Sequence, residues 1–303
     1  MAQKRRGSKR GRGHSPWREV AWAGGILLLI ITVLALLAVF PRPRPPAPKS
    51  SSPPVEKPQK PLGRPLFEEP PPPERPIKKP PPIRVKLPEI SIVIDDMGYN
   101  NGLDQAFIDL PYPLTFSFLP YGPHTQELAR LAKAKGHEIL LHLPMESSSG
   151  TPPGPGALYV YMDGQEIARI LQEDLNRVPG VMGVNNHMGS RFTANPVKMR
   201  LLLLEIKRRG LIFLDSRTTA ETVGYRLARE LGIPSAERRV FLDHTVNKKA
   251  IRHELKRLIV LARSEGKAVA IGHPHKETLE VLKKELPRLK KKARLVPLSQ
   301  VLN

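Results

Sequence analysis

The 303-residue chain contains no cysteine. Disulfides and thiolate metal sites are therefore excluded, and any bound metal must sit on His, Asp or Glu. The missing thiols say nothing about compartment, because an exported domain can do without disulfides. Aromatic residues are scarce at 5%, which leaves no platform for stacking nucleic-acid bases. Acidic residues are outnumbered: 28 Asp+Glu stand against 49 Lys+Arg, a net charge of +21. The positive charge gathers at the extreme N-terminus and from Lys283 to Arg294. A basic tail and solvated helix faces account for it, and charge alone is weak evidence of function. Nucleic acid is not expected as a partner.

Some segments carry their own reading. Residues 1–19 place seven Lys or Arg among glycine and serine and read as a disordered tail. Val20 to Phe40 follows, 21 residues without a charge, long enough to span a bilayer core as a helix at about 1.5 Å per residue. The basic flank before it favours a cytoplasmic N-terminus, with the remainder outside. A cleaved signal peptide is the competing reading. The length of the run and the lack of an A-x-A site at Ala35 and Ala38 favour an uncleaved anchor. Residues 41–87 hold 18 of the 34 prolines; such a segment cannot form a core and favours extended polyproline II, reaching about 140 Å at full stretch. The expectation is a single-pass inner-membrane protein whose folded domain, residues 88–303, stands off the membrane on the periplasmic side.

From Lys86 onward short apolar runs alternate with amphipathic stretches. Strands are expected at Glu89–Asp95, Leu114–Phe118, Glu138–His142, Val181–Asn185, Leu211–Asp215, Val240–Asp243 and Ala268–Gly272. Helices are expected at Thr125–Lys135, Gly164–Val178, Pro196–Arg209, Ala220–Leu231, Lys248–Glu265 and Lys276–Leu286. Asn195-Pro196 reads as a helix cap followed by an N1 proline, and Gly136, Gly210, Gly232 and Gly266 sit where helices stop. Seven strands with intervening helices imply an α/β fold with a parallel sheet.

Nearly every expected strand ends in polar residues: Asp95 and Asp96, His142, Asn186 and His187, Asp215, Asp243 and His244, then His273 and His275. Any one of them could be a turn former or a helix cap. A parallel barrel would bring all of these ends to one rim, where residues distant in sequence converge, so a closed or nearly closed barrel is favoured over an open sheet. Asp-His-His suits zinc or a similar divalent ion and leaves a position for water, whose pKa falls towards about 7. A neighbouring carboxylate can take the water proton, and a histidine across the site can protonate a leaving group.

Five pieces together carry a resemblance: Ile94-Asp95-Asp96-Met97-Gly98, Leu141-His142-Leu143-Pro144-Met145-Glu146, Asn185-Asn186-His187-Met188-Gly189-Ser190, Leu214-Asp215-Ser216-Arg217-Thr218 and Gly272-His273-Pro274. Residues 88–300 resemble the divergent polysaccharide deacetylases, distant relatives of the NodB-homology carbohydrate esterases. The resemblance implies a distorted (β/α)7 barrel and metal-dependent removal of acetyl groups from an N-acetylated envelope polysaccharide. It implies Asp95 as base, Asp96 and His142 as metal ligands and His273 as general acid.

Two departures stand out. The esterase motif has a second histidine four residues after the first, where this chain has Glu146. His187 is the expected substitute ligand, with Glu146 next. No Arg-x-Pro-Tyr segment is present, which leaves Arg191 as candidate oxyanion donor. Asp215 is a candidate to orient a ligand histidine, and Asn186 and His275 are further residues of the rim. These departures keep open a second reading, a non-catalytic envelope protein that retains the barrel as a glycan-binding or interaction module.

Overall fold

A computed structural model of the chain describes residues 87–303. The expected tail, membrane helix and nearly all of the stalk lie outside the described residues. Among the described residues no helix is long and apolar enough to cross a membrane.

The chain alternates strand and helix as its periodicity implies: β1 Glu89–Met97, α1 Asn101–Ile108, β2 Thr115–Phe118, α2 Thr125–Ala134, β3 Glu138–Met145, α3 Gly164–Arg177 and β4 Gly183–Met188. Then come α4 Pro196–Arg208, β5 Ile212–Asp215, α5 Gly224–Glu230, β6 Ser235–Glu237, β7 Val240–Phe241, α6 Lys248–Glu265, β8 Lys267–Gly272, α7 Lys276–Leu289, β9 Arg294–Leu295 and a 3₁₀ turn at Leu298–Val301. Local chemistry sets the ends. The Asn195 side chain accepts the Val197 and Lys198 N–H groups, with Pro196 at the first helical position, and Asp163 and Glu166 form a reciprocal capping box on α3. The four glycines expected at helix ends all have positive φ. Helix α5 starts later than expected, because the segment before it is held as a turn by Asp215, which accepts from Thr222 Oγ1 and Tyr225 N.

Every strand pairing is parallel, in the order β6-β5-β4-β3-β2-β1-β8-β7, with β9 beside the start of β1. The sheet curls until its two end strands meet in sequence. Segment 235–241 pairs with β5 through β6 and with β8 through β7. Between the two halves, Arg238 N–H donates to Asp215 O and Arg239 N–H to Val269 O. The expected barrel is thus a curled parallel sheet whose seam is one short, divided segment, in place of the full sixth strand expected at Val240–Asp243. Strand β3 runs three residues past its expected end in spite of Pro144. Its pairing with β2 has stopped at Leu141, so the missing N–H costs no ladder bond there.

Apolar residues fall into two clusters on either side of the sheet. The larger, including Ile92, Ile94, Phe116, Phe118, Leu141 and Leu143, packs beneath the helices. The smaller fills the concave side with Val93, Leu140, Leu214, Val269 and Ile271, closed by Val296, Leu298 and Val301. Fully burying one such side chain contributes about 1.5–3 kcal/mol. Alternation along a strand then dictates what comes next on the concave side. Val93 is followed by Asp95, Leu140 by His142, Ile271 by His273. Each inward column is apolar at its base and polar at its carboxyl end, so the curl that buries the plug also gathers these polar groups.

Candidate active site

The polar ends line a cavity of about 390 Å³ whose walls include Asp95, Asp96, His142, His187, Arg238 and His273. A larger cleft of about 650 Å³ lies at the start of β1, beside Leu87 and Lys292, and no histidine lines it.

Three ligand-type atoms converge at the cavity floor. Asp96 Oδ1 lies 3.1 Å from His142 Nε2 and 2.9 Å from His187 Nδ1, and the two ring nitrogens are 3.2 Å apart. A tetrahedral ion with bonds of about 2.0–2.2 Å separates its ligands by roughly this much. Asp96 Oδ1 is buried and lacks a hydrogen bond of good geometry despite its two close imidazoles. Three converging lone-pair donors around an unsatisfied buried oxygen fit a divalent cation. Among the described residues this is the one Asp/His cluster with such spacing.

His142 and His273 are backed by different groups. His142 Nδ1 donates to Asn185 Oδ1 at 2.9 Å, and the same oxygen accepts from Ser117 Oγ. Asn185 Nδ2 donates to Asp95 Oδ1 at 2.9 Å and to Ser216 Oγ at 3.2 Å. One amide therefore positions both a candidate ligand and the buried carboxylate beside it. Across the cavity, Asp243 Oδ1 accepts from His273 Nδ1 at 2.9 Å, while its Oδ2 accepts from His273 N and Thr278 Oγ1. This leaves His273 Nε2 as the free ring nitrogen.

Charge follows from these contacts. Burial pushes Asp95 above the ordinary carboxylate range, against the pull of His142 and His273. Burial would also raise Asp96, but the two facing imidazoles outweigh it and hold Asp96 well below that range. Burial opposes a charge on His142, yet Asp95 and Asp96 push it up to about 9. Burial likewise opposes a charge on His273, and the pair with Asp243 wins and raises it. Without a cation, His142 and His273 therefore each keep a proton to higher pH than an ordinary imidazole.

The backbone is strained at the same place. Asp96, Met188 and Arg217 have φ of 57°, 52° and 49°, the positive-φ non-glycine residues among those described, and all three line the cavity. Such conformations persist only where surrounding structure enforces them. At Asp96 the twist breaks strand alternation, so two consecutive aspartates both face the site. The turn beyond it is fixed by Asp104, which accepts the Gly98 and Asn100 N–H groups. Gly98 has φ of 111°, and a Cβ there would fall 2.2 Å from Thr125 Oγ1.

Asp95, Asp96, His142, His187 and His273 are thus brought to one cavity, and Asn186 lines it too. Asn186 is spent on structure: its amide donates to Met188 O and Thr218 Oγ1, and its oxygen accepts from Ser216 N. Other expectations are corrected. Glu146 lies outside the three-atom cluster, pairs with Arg191 at 3.0 Å and accepts the Val160 N–H, so it fastens the 147–160 loop. Arg191 is 60% exposed in that pair and does not line the cavity. Asp215 reaches no histidine; it accepts from Arg217 N, Thr222 Oγ1 and Tyr225 N and shapes the turn into α5. His275 occupies the N-cap position of α7 without a side-chain capping bond. His137, outside the cavity, is partly buried between Leu114 O and Ile108 O. Asn185, Asp243 and Arg238 are the residues that sequence reasoning left without a role. The signal for Asn185 was its spacing, two before His187 on one strand, hence the same face.

Known proteins share this chain's pattern. The family described as divergent polysaccharide deacetylase matches residues 92–302. The uncharacterized Escherichia coli K12 protein YibQ is 39% identical over 215 residues, 71% of this chain and 67% of its own. An uncharacterized Haemophilus influenzae Rd protein is 35% identical over 208 residues, 69% of this chain and 74% of its own. The crystal structure of the uncharacterized Agrobacterium tumefaciens C58 protein ATU2773 superposes with a TM-score of 0.68 at 27% identity, covering 73% of this chain and 92% of that one.

Proposed function

Since the chain belongs to the divergent polysaccharide deacetylase family, we propose that it hydrolyses the N-acetyl groups of an envelope polysaccharide, with a divalent cation, zinc by donor set, at Asp96, His142 and His187. When bound, that cation supplies Lewis acidity that polarises the acetyl carbonyl and acidifies water. Asp95 takes the proton from water as its oxygen bonds to the acyl carbon. His273 then gives the proton on Nε2 to the amine nitrogen as the C–N bond breaks, releasing acetate and a free amino sugar. The raised Asp95 is a stronger base than an ordinary carboxylate, and the raised His273 keeps its proton to higher pH.

One observation carries this reading: a buried carboxylate and a carboxylate-backed imidazole line the same small cavity as the three-atom cluster. The lost motif histidine, which favoured a non-catalytic module, weighs less once His187 stands within 3.2 Å of His142. Export on an anchor at 20–40 and a stalk at 41–87 belongs to the same proposal, supported by the uncharged run behind a basic tail.

The test is acetate release from N-acetylated oligosaccharides by the full-length protein, beside its Asp95→Asn variant. Turnover that falls about 10²–10⁴-fold in the variant with cation retained supports the assignment. Cation and glycan binding without acetate release would establish the binding module instead.

A further inference from the structure

Two consecutive arginines sit in the divided seam and meet opposite fates. Arg239 turns outward and pairs with Glu237 and Glu265. Arg238 lines the cavity, and no carboxylate among the described residues forms an ion pair with it. Its Nε donates to Ser216 O at 2.6 Å and its Nη2 to Arg217 O at 2.7 Å, and its guanidinium carbon lies 5.0 Å from the centre of the Phe241 ring. Two carbonyls thus fix the plane of the fork. A guanidinium carries five N–H donors; Nη1 has no acceptor among the described residues.

The other side-chain donors of this wall are held by partners that point them elsewhere, though Arg217 engages only its Nη1. Arg217 is paired with Glu237 at 2.5 Å, Thr218 donates to Met188 O, and Asn186 is bonded as described above. Arg191 is tied to Glu146 away from the cavity. Amide hydrolysis needs a donor here. When the water oxygen bonds to the acyl carbon, the carbonyl electron pair moves onto the acyl oxygen. Collapse then expels the amine and leaves a carboxylate. A donor already fixed in place stabilises that charge without reorganising, and a guanidinium fork matches a carboxylate in bidentate fashion.

We propose that Arg238 is a catalytic residue that receives the acyl oxygen: the carbonyl of the bound acetamide, the oxyanion of the tetrahedral adduct, then the carboxylate of acetate. This rests on the deacetylation reading and adds a side-chain donor for the oxyanion beside the proposed cation.

The full-length, cation-loaded protein and its Arg238→Gln and Arg238→Lys variants provide the test, with acetate as probe. Arg238→Gln lowers kcat about 10²–10³-fold while KM changes less than about threefold. It weakens product inhibition by acetate by about tenfold or more, and cation content is unchanged. Unaltered kcat and acetate inhibition in a folded Arg238→Gln would overturn the assignment. Should loss of the carbonyl bonds unfold that variant, ¹⁵N-labelled wild-type protein decides. Acetate shifts the Arg238 Nε–H resonance, identified by its absence from Arg238→Lys, if the proposal holds, and leaves it unmoved if Arg238 is only a staple. Absence of any turnover on N-acetylated glycans would defeat the proposed function alone, and the acetate titration would still judge Arg238.

Discussion

The two sides of the cavity present histidines with opposite backing. On one side, His142 Nδ1 rests on the neutral amide of Asn185; on the other, His273 Nδ1 rests on the carboxylate of Asp243. Both imidazoles are raised in the cation-free protein, for different reasons. His142 is raised by Asp95 and Asp96 in front of it, and a cation bound to Asp96 would take the place of that proton. His273 is raised chiefly by the carboxylate behind it, with Asp95 and Asp96 adding less, and a cation at the cluster would not displace Asp243. A neutral brace suits a ligand that must give up its proton, and an anionic brace suits an acid that must keep one. The same residue type is thus divided into two roles by a single atom of its neighbour.

The strongest way to break that division is to remove the rings. Asp96→Ala with His142→Ala should reduce bound divalent metal, measured by elemental analysis, from about one per chain to none. His273→Ala should keep the metal and lose about 10²–10⁴-fold in kcat. If both variants lost metal equally, the two sides would not be distinct. Exchanging the braces is gentler. Asp243→Asn removes the charge that raises His273, so the alkaline limb of the kcat profile should move to lower pH. Asn185→Asp sets a second carboxylate against Asp95 and should raise its pKa further, moving the acid limb to higher pH. Metal titrations sharpen the His142 side, because binding must expel its proton. Apparent affinity should climb about tenfold per pH unit and level off above about 9. The smallest effect is expected outside the cavity: Arg191→Ala, at an exposed pair, should change stability by less than about 1 kcal/mol and leave kcat unchanged.

Strand positions were legible because apolar runs and helix caps carry local signals; α6 falls on its expected limits. The seam was not. Ser235–Glu237 is three residues long, polar at both ends and paired only through the backbone, so no periodicity marks it. Helix α1 opens on Asn-Gly, turn chemistry by composition, yet the Asn100 side chain caps it by accepting the Leu103 N–H. At the site, residue types were readable and partners were not. Asp215 and Asp243 both end expected strands, and nothing local says that one shapes a turn while the other holds a histidine 30 residues away. Alternation from His187 sets the Asn185 amide behind His142 and Asp95, while Asn186, though it lines the cavity, is spent on the neighbouring turn. Asp96 defied alternation because its backbone turns left-handed.

Asp96, Met188 and Arg217 also bear on how such a protein drifts. Each holds a left-handed backbone that costs a non-glycine residue about 1–2 kcal/mol. A laboratory lineage selected for heat tolerance alone would gain at all three addresses by mutating to glycine. It would then reach a hardier molecule whose Asp/His cluster has lost its carboxylate.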